Sequence, residues 1–231
     1  MNVLVLGDGR LGSEIVKQTG WEYISRKKDH FDVRDYYFTE LAGMIDEICP
    51  DVVVNCIGYT NTYDPNKKKH LDLNAKFVIY LTDFCAERNY KLVHISTDYI
   101  YANSKNNKSE DDIPVHQETW YSYSKLIADA YVQLISFNYL LVRCSFKPNP
   151  FPYEKAFTNV YGNFDYVDVI AKQIIELINE EQQGVWNIGT KYKSIVELAK
   201  QTVPDIPEWY SPTLPSIEMD LTKFNNRNKL P

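Results

Sequence analysis

The sequence predicts an α/β fold built on a doubly wound, mostly parallel sheet, and three observations predict it. A short apolar run, Val3-Leu4-Val5-Leu6, leads into glycines at 7, 9 and 12 and then into an amphipathic segment. Near-continuous apolar runs recur at residues 52–57, 91–95 and 139–143, the pattern of strands covered on both faces. Between them lie stretches with apolar residues at helical spacing, so strands and helices alternate along the chain.

The elements follow in order. Residues 3–6 form the first strand, and Gly7, Gly9 and Gly12 fall in the spacing G-x-G-x-x-G at its end. Glycine is required first for a tight turn, next so that backbone can approach a diphosphate, and last for close helix–strand packing. Leu11, Ile15 and Val16 share one face of the helix that follows, and the unpaired N–H groups at its start, together with its dipole, suit phosphate. Residues 22–25 read as a second short strand and 41–48 as a helix. Pro50-Asp51 marks the turn into the strand at 52–57. A helix is expected over 71–88, where Leu73, Phe77, Tyr80, Leu81 and Phe84 recur at helical spacing. A strand at 91–95, a helix at 122–136 and a strand at 139–143 come next, then a helix at 167–179, a strand at 185–188 and a helix at 194–202. The tail beyond Pro204 is proline-spaced and irregular, and reads as a strap over the surface. The division expected is a Rossmann-type NAD(P)-binding domain over 1–145 and, over 146–231, a segment that returns to the sheet and forms a small C-terminal substrate-binding lobe within one compact unit.

Composition narrows the function classes. A chain of 231 residues holds one large domain, or one domain with a small lobe. A net charge of −6 argues against a general nucleic-acid binder, and no apolar run approaches the roughly 20 residues of a membrane span. Met1 leads directly into a core strand and leaves no room for a signal peptide, so a cytoplasmic protein is expected. Cys49, Cys56, Cys85 and Cys144 show neither C-x-x-C nor zinc spacing, which suits buried free thiols and predicts no metal site. A homodimer through exposed helices is compatible with the sequence but is not specified by it.

Two blocks carry chemistry. Ile95-Ser96-Thr97-Asp98-Tyr99 lies at the carboxyl end of an expected central strand, where open α/β sheets bind ligands. Tyr121-Ser122-Tyr123-Ser124-Lys125 opens a helix, and tyrosine and lysine four apart share one helical face. A nearby cation favours phenolate and would lower the tyrosine pKa, and such a tyrosine can exchange a proton with a carbonyl or alcohol. The spacing alone is weak, because it occurs four times (Tyr23/Lys27, Tyr63/Lys67, Tyr101/Lys105, Tyr121/Lys125). Only the last pair opens a long helix downstream of a strand that ends in hydroxyl residues.

The glycine turn, Ser96-Thr97-Asp98-Tyr99 and the Tyr121/Lys125 pair together resemble the extended short-chain dehydrogenase/reductase superfamily, and within it the dTDP-4-dehydrorhamnose reductase branch. Asn55-Cys56-Ile57-Gly58-Tyr59-Thr60 resembles that branch's N-A-A-A-Y-T, Leu73-Asn74-Ala75 its V-N-A, and Arg143-Cys144-Ser145 its R-T-S. The segment from Tyr161 to Asp168 resembles its G-x-P-T-Y-V-x-D, and Gly184-Val185-Trp186-Asn187 and Asp220-Leu221-Thr222-Lys223 echo later segments.

The resemblance implies hydride transfer from a reduced nicotinamide to the C4 ketone of a nucleotide-linked deoxysugar. It makes Thr97, Tyr121 and Lys125 the catalytic set. Tyr121 protonates the forming alkoxide, Lys125 tunes Tyr121 and holds the nicotinamide ribose, and Thr97 orients the substrate oxygen. Asp98 joins Thr97 and Tyr121 at the substrate. Gly7, Gly9, Arg10, Leu11 and Gly12, the segment Cys56, Ile57, Gly58 and Tyr59, and Asn74 with Tyr121 and Lys125 are implied cofactor contacts, with Asp32 and Val33 at the adenine. Thr97 as a simple turn cap and Asn74 as an ordinary helix residue remain open. At the end of the second strand an NAD enzyme usually places an acid, whereas Ser25-Arg26-Lys27-Lys28 stands here with Arg10 in the glycine turn. Hydroxyl and guanidinium donors suit a 2′-phosphate, so NADP (as NADPH) is expected, with NAD as the alternative.

The chain also departs from the pattern. Its glycine turn is one residue shorter than G-x-x-G-x-x-G, Thr62-Tyr63-Asp64-Pro65-Asn66 replaces V-D-x-A-E, and the segment between Ser145 and Tyr161 is trimmed and rich in Pro and Phe. Two other readings therefore stand beside the reductase. One is a nucleotide-sugar epimerase or dehydratase with bound NAD, kept open by Asp98. The other is a non-catalytic NAD(P)-binding subunit of the kind that regulates methionine adenosyltransferase.

Overall fold

The computed structural model describes residues 1–30, 32–33, 38–104, 107–112, 114 and 119–227. Along the chain these form β1 (Val3–Leu6), α1 (Arg10–Thr19), β2 (Glu22–Ile24), α2 (Arg26–Asp29), α3 (Phe38–Ile48) and β3 (Val52–Asn55). There follow α4 (Lys67–Leu71), a π-helical turn (Asp72–Lys76), α5 (Phe77–Arg88), β4 (Lys91–Ile95), a 3₁₀ turn (Asp98–Tyr101), α6 (Trp120–Ile135) and β5 (Tyr139–Arg143). Short strands β6 (Phe146–Lys147), β7 (Ala156–Phe157), β8 (Tyr161–Gly162) and β9 (Asp165–Tyr166) lead to α7 (Val167–Asn179) and β10 (Gly184–Asn187). The chain ends with β11 (Lys193–Ser194), α8 (Ile195–Ala199), β12 (Glu208–Trp209) and α9 (Thr222–Asn226).

Six strands pair in parallel in the order β10-β5-β4-β3-β1-β2. Since β2 lies on one side of β1 and β3 on the other, the winding reverses between β1 and β3. A crevice opens there at the carboxyl ends of the strands. The unbroken apolar runs have a simple cause in the packing, because alternate residues of each strand enter different cores. Val3, Val5, Val52, Val54, Val93, Leu140 and Val142 face α1 and α7, while Leu4, Leu6, Val53, Leu92 and Leu141 face α3, α5 and α6. A smaller cluster of Phe151, Ala156, Val160, Phe164, Ile195 and Leu198 lies in the C-terminal part of the chain.

Three local expectations fail, the first at Cys49, expected as a buried thiol but exposed just past the end of α3. The helix over 71–88 is continuous in outline, but residues 72–76 widen into a π-helical turn around Asn74, whose side chain bonds elsewhere instead of pointing to solvent. The tail is no surface strap. Ile206, Ile217, Met219, Leu221 and Phe224 are buried, Trp209 pairs with Phe157, and Gly162 bridges Ile217. The alternation of Ile217, Met219 and Leu221 is a period-two pattern, short enough to pass for irregular chain.

Behind the sheet's carboxyl end sits an ion pair, Arg143 Nε donating to Asp129 Oδ2 at 3.1 Å, with both side chains 2% exposed or less. Arg143 also donates to the Tyr101 hydroxyl. Removing one member strands the other charge, so Asp129→Ala is expected to cost about 3–5 kcal/mol, seen as a lower urea midpoint at unchanged slope. A variant within about 0.5 kcal/mol of wild type would mean the pair carries no stability.

Candidate active site

The glycine turn is built by close approach. Gly7 sits at φ +96°, a left-handed conformation that disfavours side chains, and its N–H donates to Ile24 O at 2.8 Å. A Cβ on Gly12 would stand 2.0 Å from the Gly7 carbonyl oxygen, so only glycine lets α1 start this near the end of β1. Gly9 caps α1 without a side chain, which leaves the first-turn N–H groups available to a ligand. Arg10, whose guanidinium has no acceptor among the described residues, projects from that turn into the crevice.

Thr97 stands where β4 ends. Its hydroxyl accepts from the Tyr99 N–H at 3.1 Å, which caps the 3₁₀ turn, and meets Asp98 Oδ1 at 3.3 Å. The turn cap read as an alternative role is thus real, and the same hydroxyl lines the cleft together with the Tyr121 phenol. Thr119 caps α6 by accepting from the Ser122 N–H at 3.3 Å, which puts Tyr121 in the first turn and Lys125 one turn on. Lys125 Nζ reaches back to donate to Ile95 O at 3.0 Å, joining α6 to the end of β4. Asn74 Oδ1 accepts from the Tyr59 N–H at 2.7 Å, and Asn74 Nδ2 donates to Tyr59 O at 3.0 Å and to Ser124 Oγ at 3.2 Å. Gly58 lies between these groups, and a Cβ there would meet Asn74 Oδ1 at 3.2 Å and Lys125 Nζ at 3.4 Å.

Burial sets the protonation states. The Tyr121 phenol is pushed up from its ordinary value by burial, against the pull of the Thr97 hydroxyl and with the help of the Asp98 charge. This is opposite to the lowering expected from the Tyr–Lys spacing, because Lys125 gives its hydrogen bond to the Ile95 carbonyl and the phenol loses its water. Lys125 is itself lowered by burial and partly restored by Asp129. Asp98 is raised to about 6 by burial, against the pull of Lys147 and Thr97. Cys56 is raised to about 12 by burial, and Cys144 is raised for the same reason, so both are neutral thiols in the wall.

One continuous cleft of about 1140 Å³ joins the two blocks. Gly9, Arg10, Leu11, Cys56, Ile57, Gly58, Thr97, Asp98, Tyr121 and Lys125 line it. Gly7 and Gly12 shape the turn beneath, and Tyr59 and Asn74 stand behind Gly58. Ser25, Arg26, Asp32 and Val33 lie beyond it, at and after the end of β2. The buried Ser25 hydroxyl accepts from the Lys28 N–H at 3.2 Å as the cap of α2, and Arg26 pairs with Asp32 at 3.3 Å. Ser25 gives only a lone pair to that bond and keeps its O–H to donate, and the exposed Arg26 gives Asp32 one of its five N–H donors, so both keep donors for a ligand. Lys105, of the competing Tyr101 pair, lies outside the described residues. Among the described residues no cluster of His, Cys, Asp and Glu suits a metal ion, and no helix is long and apolar enough to cross a membrane. The far half of the cleft is walled by Phe151, Tyr153, Lys155, Phe157, Leu214 and Ile217. Lys147 lines it too and was missed, although it lies four residues past β5, at the same sheet end that singles out Thr97.

Residues 1–190 match the family model described as RmlD substrate binding domain. The spore coat polysaccharide biosynthesis protein SpsK of Bacillus subtilis (strain 168) is 28% identical over 149 residues, which is 62% of this chain and 52% of that protein. The dTDP-4-dehydrorhamnose reductase of Aggregatibacter actinomycetemcomitans is 23% identical over 176 residues, 72% of this chain and 58% of that one. The chain therefore spans little more than half the length of these curated relatives. Among solved structures, dTDP-4-dehydrorhamnose reductase (rfbD) from Bacillus anthracis str. Ames in complex with NADP superposes with a TM-score of 0.83 at 17% identity, covering 98% of this chain and 91% of that one. The Bordetella bronchiseptica enzyme WbmG in complex with NAD and UDP superposes at 0.76 and 15% identity, covering 98% and 88%. At such identities the likeness shows a shared fold.

The buried Asp98 gives the site a pH signature. A carboxyl whose folded pKa is raised from 3.8 to about 6 takes up a proton on folding, so its contribution is most favourable below about pH 4 and is lost as pH rises through about 6. Asp98→Asn is thus expected to gain up to about 3 kcal/mol over wild type near neutral pH, at about 1.4 kcal/mol per pKa unit, and nothing near pH 4. Denaturation at the two pH values reads the difference, and an equal effect at both would contradict the assignment.

Proposed function

The chain belongs to the RmlD substrate-binding-domain family, and from that premise we propose that it is an NADPH-dependent reductase of a nucleotide-linked 4-keto-6-deoxysugar, acting in deoxysugar or surface-glycan synthesis, with NAD as the alternative cofactor. The observation that carries this reading is the single cleft that runs from an uncapped glycine turn to a Thr97–Tyr121 hydroxyl pair. The turn fits a dinucleotide on its own evidence, since a Cβ at Gly12 would close it and Gly9 leaves the helix start free. The bound nicotinamide supplies the hydride.

Everything else falls to the chain. The first-turn N–H groups of α1 and the Arg10 guanidinium hold the diphosphate. Lys125, one turn beyond Tyr121 and fixed by Ile95, presents its remaining N–H donors to the nicotinamide ribose. The Thr97 hydroxyl orients the ketone oxygen, and Tyr121 gives its phenolic proton to that oxygen as charge develops. A phenol raised above its ordinary pKa stays protonated at neutral pH, which is the state a reductase needs at the start of the step. The aromatic far half, with Phe151, Tyr153 and Phe157, suits the sugar nucleotide. Asp98, raised to about 6, is a second acid–base group beside Thr97 and favours epimerase or dehydratase chemistry as the competing reading.

Turnover tests the reading. With wild type and a panel of 4-keto nucleotide sugars, sugar-dependent loss of NADPH absorbance is expected. Tyr121→Phe should lower kcat by about 100- to 10,000-fold while the NADPH Kd holds within about twofold. Sugar conversion without net NADPH oxidation would favour the epimerase or dehydratase. Cofactor binding without conversion of any sugar would favour a regulatory subunit.

A further inference from the structure

We propose that Lys147 is an anion-binding residue of the cleft, set opposite the glycine turn to take the diphosphate of a bound dinucleotide. The inference rests on the dinucleotide-binding reading above and adds a residue that neither the glycine turn nor the Tyr121–Lys125 pair includes.

The backbone at Lys147 is fixed, because β6 pairs in parallel with β9 and Lys147 stands opposite Tyr166. Its side chain lines the same cleft as Gly9, Arg10, Leu11, Thr97 and Asp98. Burial draws its pKa down from the ordinary value, Asp98 draws it back up, and Arg10 repels it. Among the described residues the ammonium has no hydrogen-bond acceptor. What it meets is the face of the Phe164 ring, 5.9 Å from Nζ to the centroid. Lys147 is half-buried, and an ammonium whose three donors meet no acceptor of the protein leaves them to water or to a ligand in the cleft.

Arg10 lines the same cleft, exposed and without an acceptor among the described residues. The helix that begins beside it has a glycine cap and free N–H groups. Two cations without an acceptor among the described residues and an uncapped helix start thus line one cleft, with Arg10 near enough to repel Lys147, and an anion between them satisfies all three. A diphosphate supplies enough oxygens for donors arriving from two sides. Both a dinucleotide and a nucleotide sugar carry that group. The adjacency of Arg10 and Gly9 assigns the dinucleotide, because these residues belong to the glycine turn. Asp98 has a defined part in this arrangement, holding the Lys147 ammonium charged and within the cleft.

Direct binding by the free protein separates the outcomes. NADPH and NADH are titrated against wild type, Lys147→Met, Lys147→Gln and Lys147→Arg by nicotinamide fluorescence, and dTDP and UDP by calorimetry. Both neutral variants should weaken NADPH and NADH alike by about 10- to 100-fold, and Lys147→Arg should recover wild-type affinity within about threefold. Nucleoside diphosphate binding should not change. Dinucleotide affinity that survives both neutral variants overturns the inference. So does a loss confined to NADPH, which would place Lys147 at the 2′-phosphate, and so does a loss confined to the nucleoside diphosphates. Wild type that binds neither dinucleotide would sink the reductase reading, and this inference with it. Wild type that binds both, with no effect at Lys147, would sink this inference alone.

Discussion

Lys125 is 5% exposed, with its ammonium at the end of the central strand, and much of the cleft's geometry answers to keeping it there. A buried ammonium needs an acceptor, and the Ile95 carbonyl provides one at the point where β4 stops and has a lone pair to spare. That bond holds the first turns of α6 against the sheet, and Tyr121 follows because it lies one turn earlier. The space beside Lys125 is bounded by Gly58, three residues past β3, where a Cβ would stand 3.4 Å from Nζ and 3.2 Å from Asn74 Oδ1. One ion position thus bears on both a glycine and the placement of the phenol.

Burial, rather than charge pairing, decides the electrostatics of the site. Tyr121, Asp98, Lys125 and Lys147 all shift toward their neutral forms, and in each the loss of water is the first cause. Nearby charges only moderate that trend. For the tyrosine this keeps the phenol neutral, with its proton in place. The arrangement also explains why Asp129 lies one turn past Lys125. Its carboxylate supports the ammonium while paired with Arg143, so the charges behind the sheet end come as a set of three.

Much of this was legible in the sequence. The strands at 91–95 and 139–143 and the helix at 167–179 have the bounds their patterns predict, because two-sided burial writes an apolar run and one-sided burial a helical stripe. The Gly7, Gly9 and Gly12 turn and the meeting of Thr97 with Tyr121 were legible for a similar reason, since each sits at an element boundary where the sheet's carboxyl end opens. What escaped depends on contacts between distant parts of the chain. The π-helical turn at Asn74 reflects bonds to Tyr59 and Ser124, far from it in sequence. Tyr121 looked acidified because spacing reports proximity and not hydration. Lys147 carried no motif, and only its position past a strand end could have marked it.

The trimmed stretch between Ser145 and Tyr161 shows how a short segment can still wall a cleft. Taken alone it has two strands of two residues each, too little to hold a shape. Each is paired to chain from further on, Phe146–Lys147 with Asp165–Tyr166 and Ala156–Phe157 with Glu208–Trp209. Between them Phe151 is buried in the same cluster as Ile195 and Leu198 and fixes the loop that carries Tyr153 and Lys155 to the cleft. The tail contributes further, as the Asn159 amide donates to Ser211 O at 2.7 Å and the Ile217 N–H to Tyr161 O at 3.0 Å. The far half of the cleft is therefore assembled from two pieces of sequence about fifty residues apart, neither of which is a lobe by itself. Loss of length in the first is offset by burial in the second, and for that reason the tail's apolar residues point inward where an ordinary strap would leave them in water.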